Sequence, residues 1–181
     1  MTTAPPPTRL TELQRRAVAP LVYGASNEAI GARIHLSAAG VASHLRTARR
    51  RLNQPGCSRP VLVHTLLSIR EVPPPTCQRA CPDFTTPELQ LIRAIAKYSR
   101  NEDIARAVSV RADDVLAEIN AVVAKACADN ATHLIGLAHA WGLFSPARDA
   151  RPAAPTVTAD QDNGNLAYRI RCSERLTAET A

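Results

Sequence analysis

Residues 26–52 read SNEAIGARIHLSAAGVASHLRTARRRL, and this stretch decides the fold. Ser26 is a residue type that accepts hydrogen bonds from the free amides of a helix start, and it precedes a short helical pattern from Asn27 to about Ile34. His35-Leu36 makes a turn, and Ser37 then caps a longer helix from Ala38 to about Leu52. On that longer helix Val41, Leu45, Ala48 and Leu52 form one apolar stripe. Ala39, Ser43, Arg46, Thr47 and Arg50 project from the opposite face, with Arg49 on one flank and His44 and Arg51 on the other. A helix with four arginines, small residues near its start and no carboxylate is suited to close approach to a phosphate-lined groove.

Upstream, Thr11 precedes an apolar spacing of Leu13, Ala17 and Leu21 that stops near Gly24. Pro20 lies inside this helix, where it removes a backbone hydrogen bond and is expected to bend the last turn. Downstream, Pro55-Gly56 breaks the chain, and a fourth helix is expected from about Arg59 to Ile69.

The pattern occurs twice. Leu10 to Asn53 aligns without a gap on Phe84 to Cys127 at an offset of 74 residues. Apolar residues fall on apolar ones: Val18 on Ile92, Leu21 on Ile95, Ile30 on Ile104, Val41 on Val115, Leu45 on Ile119. Asn27-Glu28 recurs as Asn101-Glu102. The period is too long for a solenoid and suits a duplicated domain.

In order and spacing, Leu10-Thr11, Gly24, Ser26-Asn27-Glu28-Ala29-Ile30, Leu36-Ser37, Val41, His44-Leu45 and Arg51-Leu52 resemble the LuxR/FixJ/GerE helix-turn-helix domain. The second copy, ending in Thr132 to Phe144, resembles the same family more loosely. The resemblance implies a four-helix unit whose third helix enters the major groove and whose fourth often mediates dimerisation. It assigns DNA contact to Ser43, His44, Arg46, Thr47, Arg49, Arg50 and Arg51. Gly40 and Ala42 stand where the family usually has Thr and Lys, and Glu28 where it often has Lys, so the family's base contacts do not transfer.

Charge separates the copies. Residues 9–68 carry nine basic and two acidic side chains, net +7, and residues 84–144 carry six basic and seven acidic ones, net −1. On the third helix Arg46, Arg49 and Arg50 become Asn120, Val123 and Ala124, while Ala39, Gly40 and His44 become Asp113, Asp114 and Glu118. Facing phosphates, that exchange is repulsive, so the second copy reads as a packing and assembly module.

Composition agrees with an all-α protein. The 181 residues are 45% hydrophobic but only 3% aromatic, which favours a core of small aliphatic side chains between close helices. The formal charge of +6 and pI near 9.5 suit an acidic polymer as partner. There is no run of 18 apolar residues, and residues 1–8 hold a Pro-Pro-Pro run without a signal-peptide core, so no membrane association and a cytoplasmic location are expected. The five cysteines are an odd number at irregular spacing and read as reduced thiols. Cys77 and Cys81 with Cys57 and His64 are zinc-type ligands without a second close pair, and no metal or cofactor is expected. No nucleophile with its base, phosphate loop or cofactor fingerprint points to an enzyme.

The expected architecture is two tandem four-helix helix-turn-helix domains: residues 1–8 disordered, 9–69 the DNA-binding domain, 70–83 a Pro-rich linker, 84–144 the diverged repeat and 145–181 a disordered tail. The expected function is a transcriptional regulator that binds double-stranded DNA through the Ala38–Leu52 helix as a homodimer, since one such helix buries little surface. Regulation is expected from abundance, a partner, the second repeat or the tail, whose Leu166–Ile170 cluster is a candidate docking segment. The alternative is a protein-interaction adaptor that binds another regulator without touching DNA.

Overall fold

The computed structural model of the chain describes residues 9–145, so the terminal segments 1–8 and 146–181, with the Leu166–Ile170 cluster, lie outside the described residues. Among the described residues there are eight α-helices and no strand. The first repeat comprises α1 (Glu12–Val18), a 3-10 turn (Ala19–Tyr23), α2 (Asn27–Ile34), α3 (Ala38–Arg51) and α4 (Arg59–Ser68). The second comprises α5 (Thr86–Lys97), α6 (Asn101–Val108), α7 (Val115–Lys125) and α8 (Ala131–Ala140).

Local chemistry explains the boundaries. Pro20 has no amide hydrogen to continue the α1 ladder, so the helix tightens into the 3-10 turn, and Gly24 at φ 75° closes it by donating to the Leu21 carbonyl at 2.8 Å. Ser26, Ser37 and Ser58 each accept from the amide three residues on, at 3.2, 3.1 and 3.4 Å.

The sequence correspondence at the 74-residue offset extends to these details. Thr11 forms a capping box with Gln14, and at the same offset Thr85 forms one with Glu88. The left-handed residues that close α2 and follow α3, His35 and Asn53, recur as Ser109 and Cys127. Two caps do not recur: Arg100 and Arg111 replace Ser26 and Ser37. As a result α6 starts without a side-chain cap, and α7 starts at Val115, three residues later than the equivalent of Ala38.

Both repeats lie in one compact unit, and their buried side chains form a single core. The fourth helices meet: α4 brings Leu62 and Leu66, and α8 brings Leu134, Ile135 and Ala138, all fully buried. The pairing is reciprocal, because α4 also packs on α5 while α8 packs on the 3-10 turn that completes α1. That exchange of equivalent surfaces is the pattern of a two-fold dimer, here within one chain. Asn130 ties the seam by capping α8 through its Oδ1 and donating from Nδ2 to the Gly24 carbonyl at 2.9 Å.

The segment expected as a linker has no helix but is held along the unit. Glu71 accepts from the Leu10 amide at 3.0 Å, Val72 is buried, and the Arg79 carbonyl accepts from Trp141 Nε1 at 3.0 Å. Among the described residues no helix is long and apolar enough to cross a membrane.

Candidate nucleic-acid interface

Helix α3 is held by its apolar stripe. Val41, Leu45, Ala48 and Leu52 are buried, which turns Ala39, Ser43, Arg46, Thr47 and Arg50 to solvent. The turn between α2 and α3 admits no side chain at Gly31, where a Cβ would lie 2.3 Å from the Leu36 carbonyl oxygen. The α2–α3 angle, and so the direction in which the exposed face of α3 points, depends on this close approach.

The seven residues assigned to DNA contact separate into two sets. Ser43, Arg46, Thr47 and Arg50 are exposed on one face, and Thr47 Oγ1 donates back to the Ser43 carbonyl at 3.1 Å. His44, Arg49 and Arg51 are half-buried on the flanks. Arg51 Nη1 donates to the Arg9 carbonyl at 3.0 Å, so this guanidinium also anchors the start of the first repeat. Arg49 Nε is buried without a hydrogen-bond partner, which is a costly state for a charged group unless an acceptor arrives.

One cationic residue, Arg59, was legible only as part of the net charge. Arg46, Arg49 and Arg59 line one cavity of about 330 Å³ together with Asn27, Ala42 and Cys57. Arg59 stands just after the Ser58 cap of α4 and donates from Nη2 to Asn27 Oδ1 at 2.7 Å. Burial pushes the Cys57 thiol up despite the neighbouring Arg49 cation, so it is a neutral wall of this cavity. Glu28 is fully exposed on α2, and its carboxyl is held below the usual range first by a backbone amide and then by Ser26. The recurrence of Asn27 as Asn101 was the available signal for Asn27; nothing in the periodicity singled out Arg59.

The corresponding face of α7 has different chemistry. Asp113, Asp114 and Glu118 are exposed, with Arg111 near the two aspartates at 4.0 and 3.9 Å. Lys125 is taken up by Glu88, donating at 2.9 and 2.7 Å, and lies 5.6 Å from the Phe84 ring centre. Leu116 is 56% exposed and is flanked by exposed Ala117, Asn120, Ala121 and Ala124. Small apolar residues with an acidic rim therefore occupy the surface that is arginine-rich in the first repeat.

Among the described residues the cysteines do not converge with His64 on one site. Cys77 Sγ reaches the Arg79 carbonyl at 3.5 Å and Cys81 Sγ the Pro82 carbonyl at 3.4 Å, while His64 sits at the repeat seam with His139. Among the described residues no group of three or more potential ligands is poised around a metal-sized space.

Compared with protein-family models, curated proteins and solved structures, the chain matches none.

Proposed function

We propose that this protein is a non-catalytic, cytoplasmic DNA-binding transcriptional regulator that reads the major groove with α3. The observation that carries the proposal is the exposed face of α3, where Arg46 and Arg50 stand one turn apart beside Ser43 and Ala39, with no carboxylate on the helix. In this reading Arg46 and Arg50 take base edges, since an arginine fork matches the acceptors of guanine, and Arg49, Arg51 and Arg59 on their flanks take phosphates. The cationic cavity that Arg46, Arg49 and Arg59 line beside α3 supports the phosphate assignment, because charge-assisted hydrogen bonds from guanidinium groups suit a phosphate.

The second repeat acts in this proposal as an internal partner. Its α8 covers α4, the helix to which the family resemblance assigns dimerisation, so a homodimer on a palindromic site would meet through another surface. The chain then presents one basic α3 and one acidic-rimmed α7, and it reads one half-site per chain.

A second function is favoured by a specific observation, the exposed Leu116 and alanine face of α7. In this alternative the protein is an adaptor that binds another regulator. A gel shift with random genomic fragments separates the two. Binding that resists competitor DNA supports the regulator, and absence of binding at low salt leaves the adaptor.

A further inference from the structure

The third helices of the two repeats present surfaces of opposite character. On α3, Arg46 and Arg50 are exposed beside Ala39, Ser43 and Thr47, and the helix has no carboxylate. On α7 the equivalent surface exposes Leu116, Ala117, Ala121 and Ala124, and Asp113, Asp114 and Glu118 are exposed at its N-terminal end. Leu116 is among the large apolar side chains that the fold leaves in solvent. Two α3 faces brought together would oppose guanidinium to guanidinium, and two α7 faces would oppose carboxylate to carboxylate, so like pairing is repulsive. The crossed pairing is attractive. We infer that the α7 face is a docking site for a second copy of this chain, which seats its α3 face there.

The spacing of the charges suits this contact. Arg46 and Arg50 are four residues apart in the C-terminal half of α3, and Asp114 and Glu118 are four apart at the start of α7, a rise of about 6 Å in each case. In an antiparallel alignment the carboxylates meet the arginines, while Ala121 and Ala124 lie against Ser43 and Ala39. Small side chains on both faces let the helix axes approach closely, with Leu116 covered between them. One helix face on another lies at the low end of specific interface sizes, so the contact is weak, and its charges are screened by salt. It needs no DNA. Where the proposed function holds, docking occupies the arginines assigned to base edges, so self-association and duplex binding exclude each other.

Sedimentation equilibrium of the full chain without DNA tests the inference. At about 0.05 M salt the weight-average mass is expected to rise with concentration above the 19.5 kDa of one chain, and at about 0.5 M, where the Debye length is about 4 Å, to fall back towards it. Arg46→Glu with Arg50→Glu, and separately Asp114→Lys with Glu118→Lys, are each expected to weaken self-association about tenfold or more. Mixed one to one, these two variants are expected to form a complex, because one keeps an intact α7 face and the other an intact α3 face. Arg16→Glu with Arg33→Glu makes the same change of charge as the α3 variant at exposed side chains on α1 and α2, and is expected to associate like wild type. All six substituted side chains are exposed, so circular dichroism of each variant is expected to match wild type. A wild type that stays monomeric at low salt, self-association unchanged in either charge variant, an equal loss in the α1 and α2 control, or failure of the two folded variants to associate on mixing overturns the inference. Failure of the DNA proposal alone would leave all these masses unaltered, since no duplex is present.

Discussion

Replacing Gly136 by alanine tests the seam between the repeats. In α8 a Cβ at this position would lie 2.1 Å from the Val22 carbonyl oxygen and 3.1 Å from its carbon. Ordinary contact begins near 3.4 Å, so the methyl intrudes by about 1.3 Å on main chain that cannot rotate away. Either α8 or the 3-10 turn must retreat, loosening the contacts of Val22, Ile135 and Ala138, which are all fully buried or nearly so. Overpacking of this kind costs about 1–3 kcal/mol, with a rigid obstacle at the upper end, and the intrinsic gain of alanine over glycine in a helix returns about 1 kcal/mol. The expected net loss is about 2 kcal/mol, read as a lower midpoint in urea denaturation. Gly40→Ala in α3 is the matched control. Its Cβ would meet only the Ser37 hydroxyl at 3.3 Å and the Leu36 Cβ at 3.8 Å, so stability is expected to stay level or rise by up to about 1 kcal/mol. If both variants are as stable as wild type, the close approach of α8 to the first repeat does not exist and the internal dimer falls with it.

Three further outcomes are expected. Arg46→Ala or Arg50→Ala should lose about 1–3 kcal/mol on the preferred duplex and relax specificity, whereas Arg49→Ala or Arg51→Ala should weaken all sequences alike and lower the salt slope by about one per lost phosphate contact; equal binding by all variants and wild type across a salt series refutes the groove assignment. Gly31→Ala, whose Cβ would lie 2.3 Å from the Leu36 carbonyl oxygen, should disturb the α2–α3 turn and reduce DNA binding more than it reduces overall helicity, measured by gel shift and circular dichroism on the same sample. Stability should fall with acid: His139 is pushed down to about 4 by burial first and His64 second, so between the ordinary value of 6.5 and that point the unfolded chain binds more protons. The stabilisation is complete above the ordinary value and is lost as the pH falls, by about 1–2 kcal/mol once the half-exposed rings are discounted for screening, and a urea midpoint flat across this range contradicts it.

The first repeat was legible because its signals are local. Ser26 and Ser37 each cap the helix that follows, and the 3.6-residue stripe of Val41, Leu45 and Ala48 fixes which arginines face out, so α3 and its exposed face follow from neighbours in sequence. The second repeat was less legible where those signals are missing. With Arg111 in place of the cap, periodicity alone gave no reason for α7 to start as late as Val115. What the sequence did not convey was long-range. The seam rests on Gly136 against Val22 and on Asn130 against Gly24, contacts between residues more than 100 positions apart whose types are ordinary in helices and caps. The Pro-rich stretch at residues 72–75 has the composition of a spacer, yet Val72 and Pro75 are buried, which depends on the surface they meet and not on their own propensities.

The seam gives a physical reason for the unequal charge of the two copies. Two separate chains must each keep a basic third helix, because the same sequence serves both halves of a dimer. Once the partner is tethered through residues 70–83, its packing surface is supplied at high effective concentration whatever its third helix carries. The surfaces of α8 and α5 that meet the first repeat have then to be kept, and they remain apolar: Leu134, Ile135 and Ala138 are fully buried on α8, and Leu91, Ile92 and Ile95 nearly so on α5. The face of α7 has no such constraint. There Asp113, Asp114 and Glu118 replaced Ala39, Gly40 and His44, and the remaining lysine of α7 was drawn into its own repeat by Glu88. In the proposed function, a second repeat that keeps the apolar surfaces of α8 and α5 while its third-helix face turns acidic is what a covalent dimer partner requires.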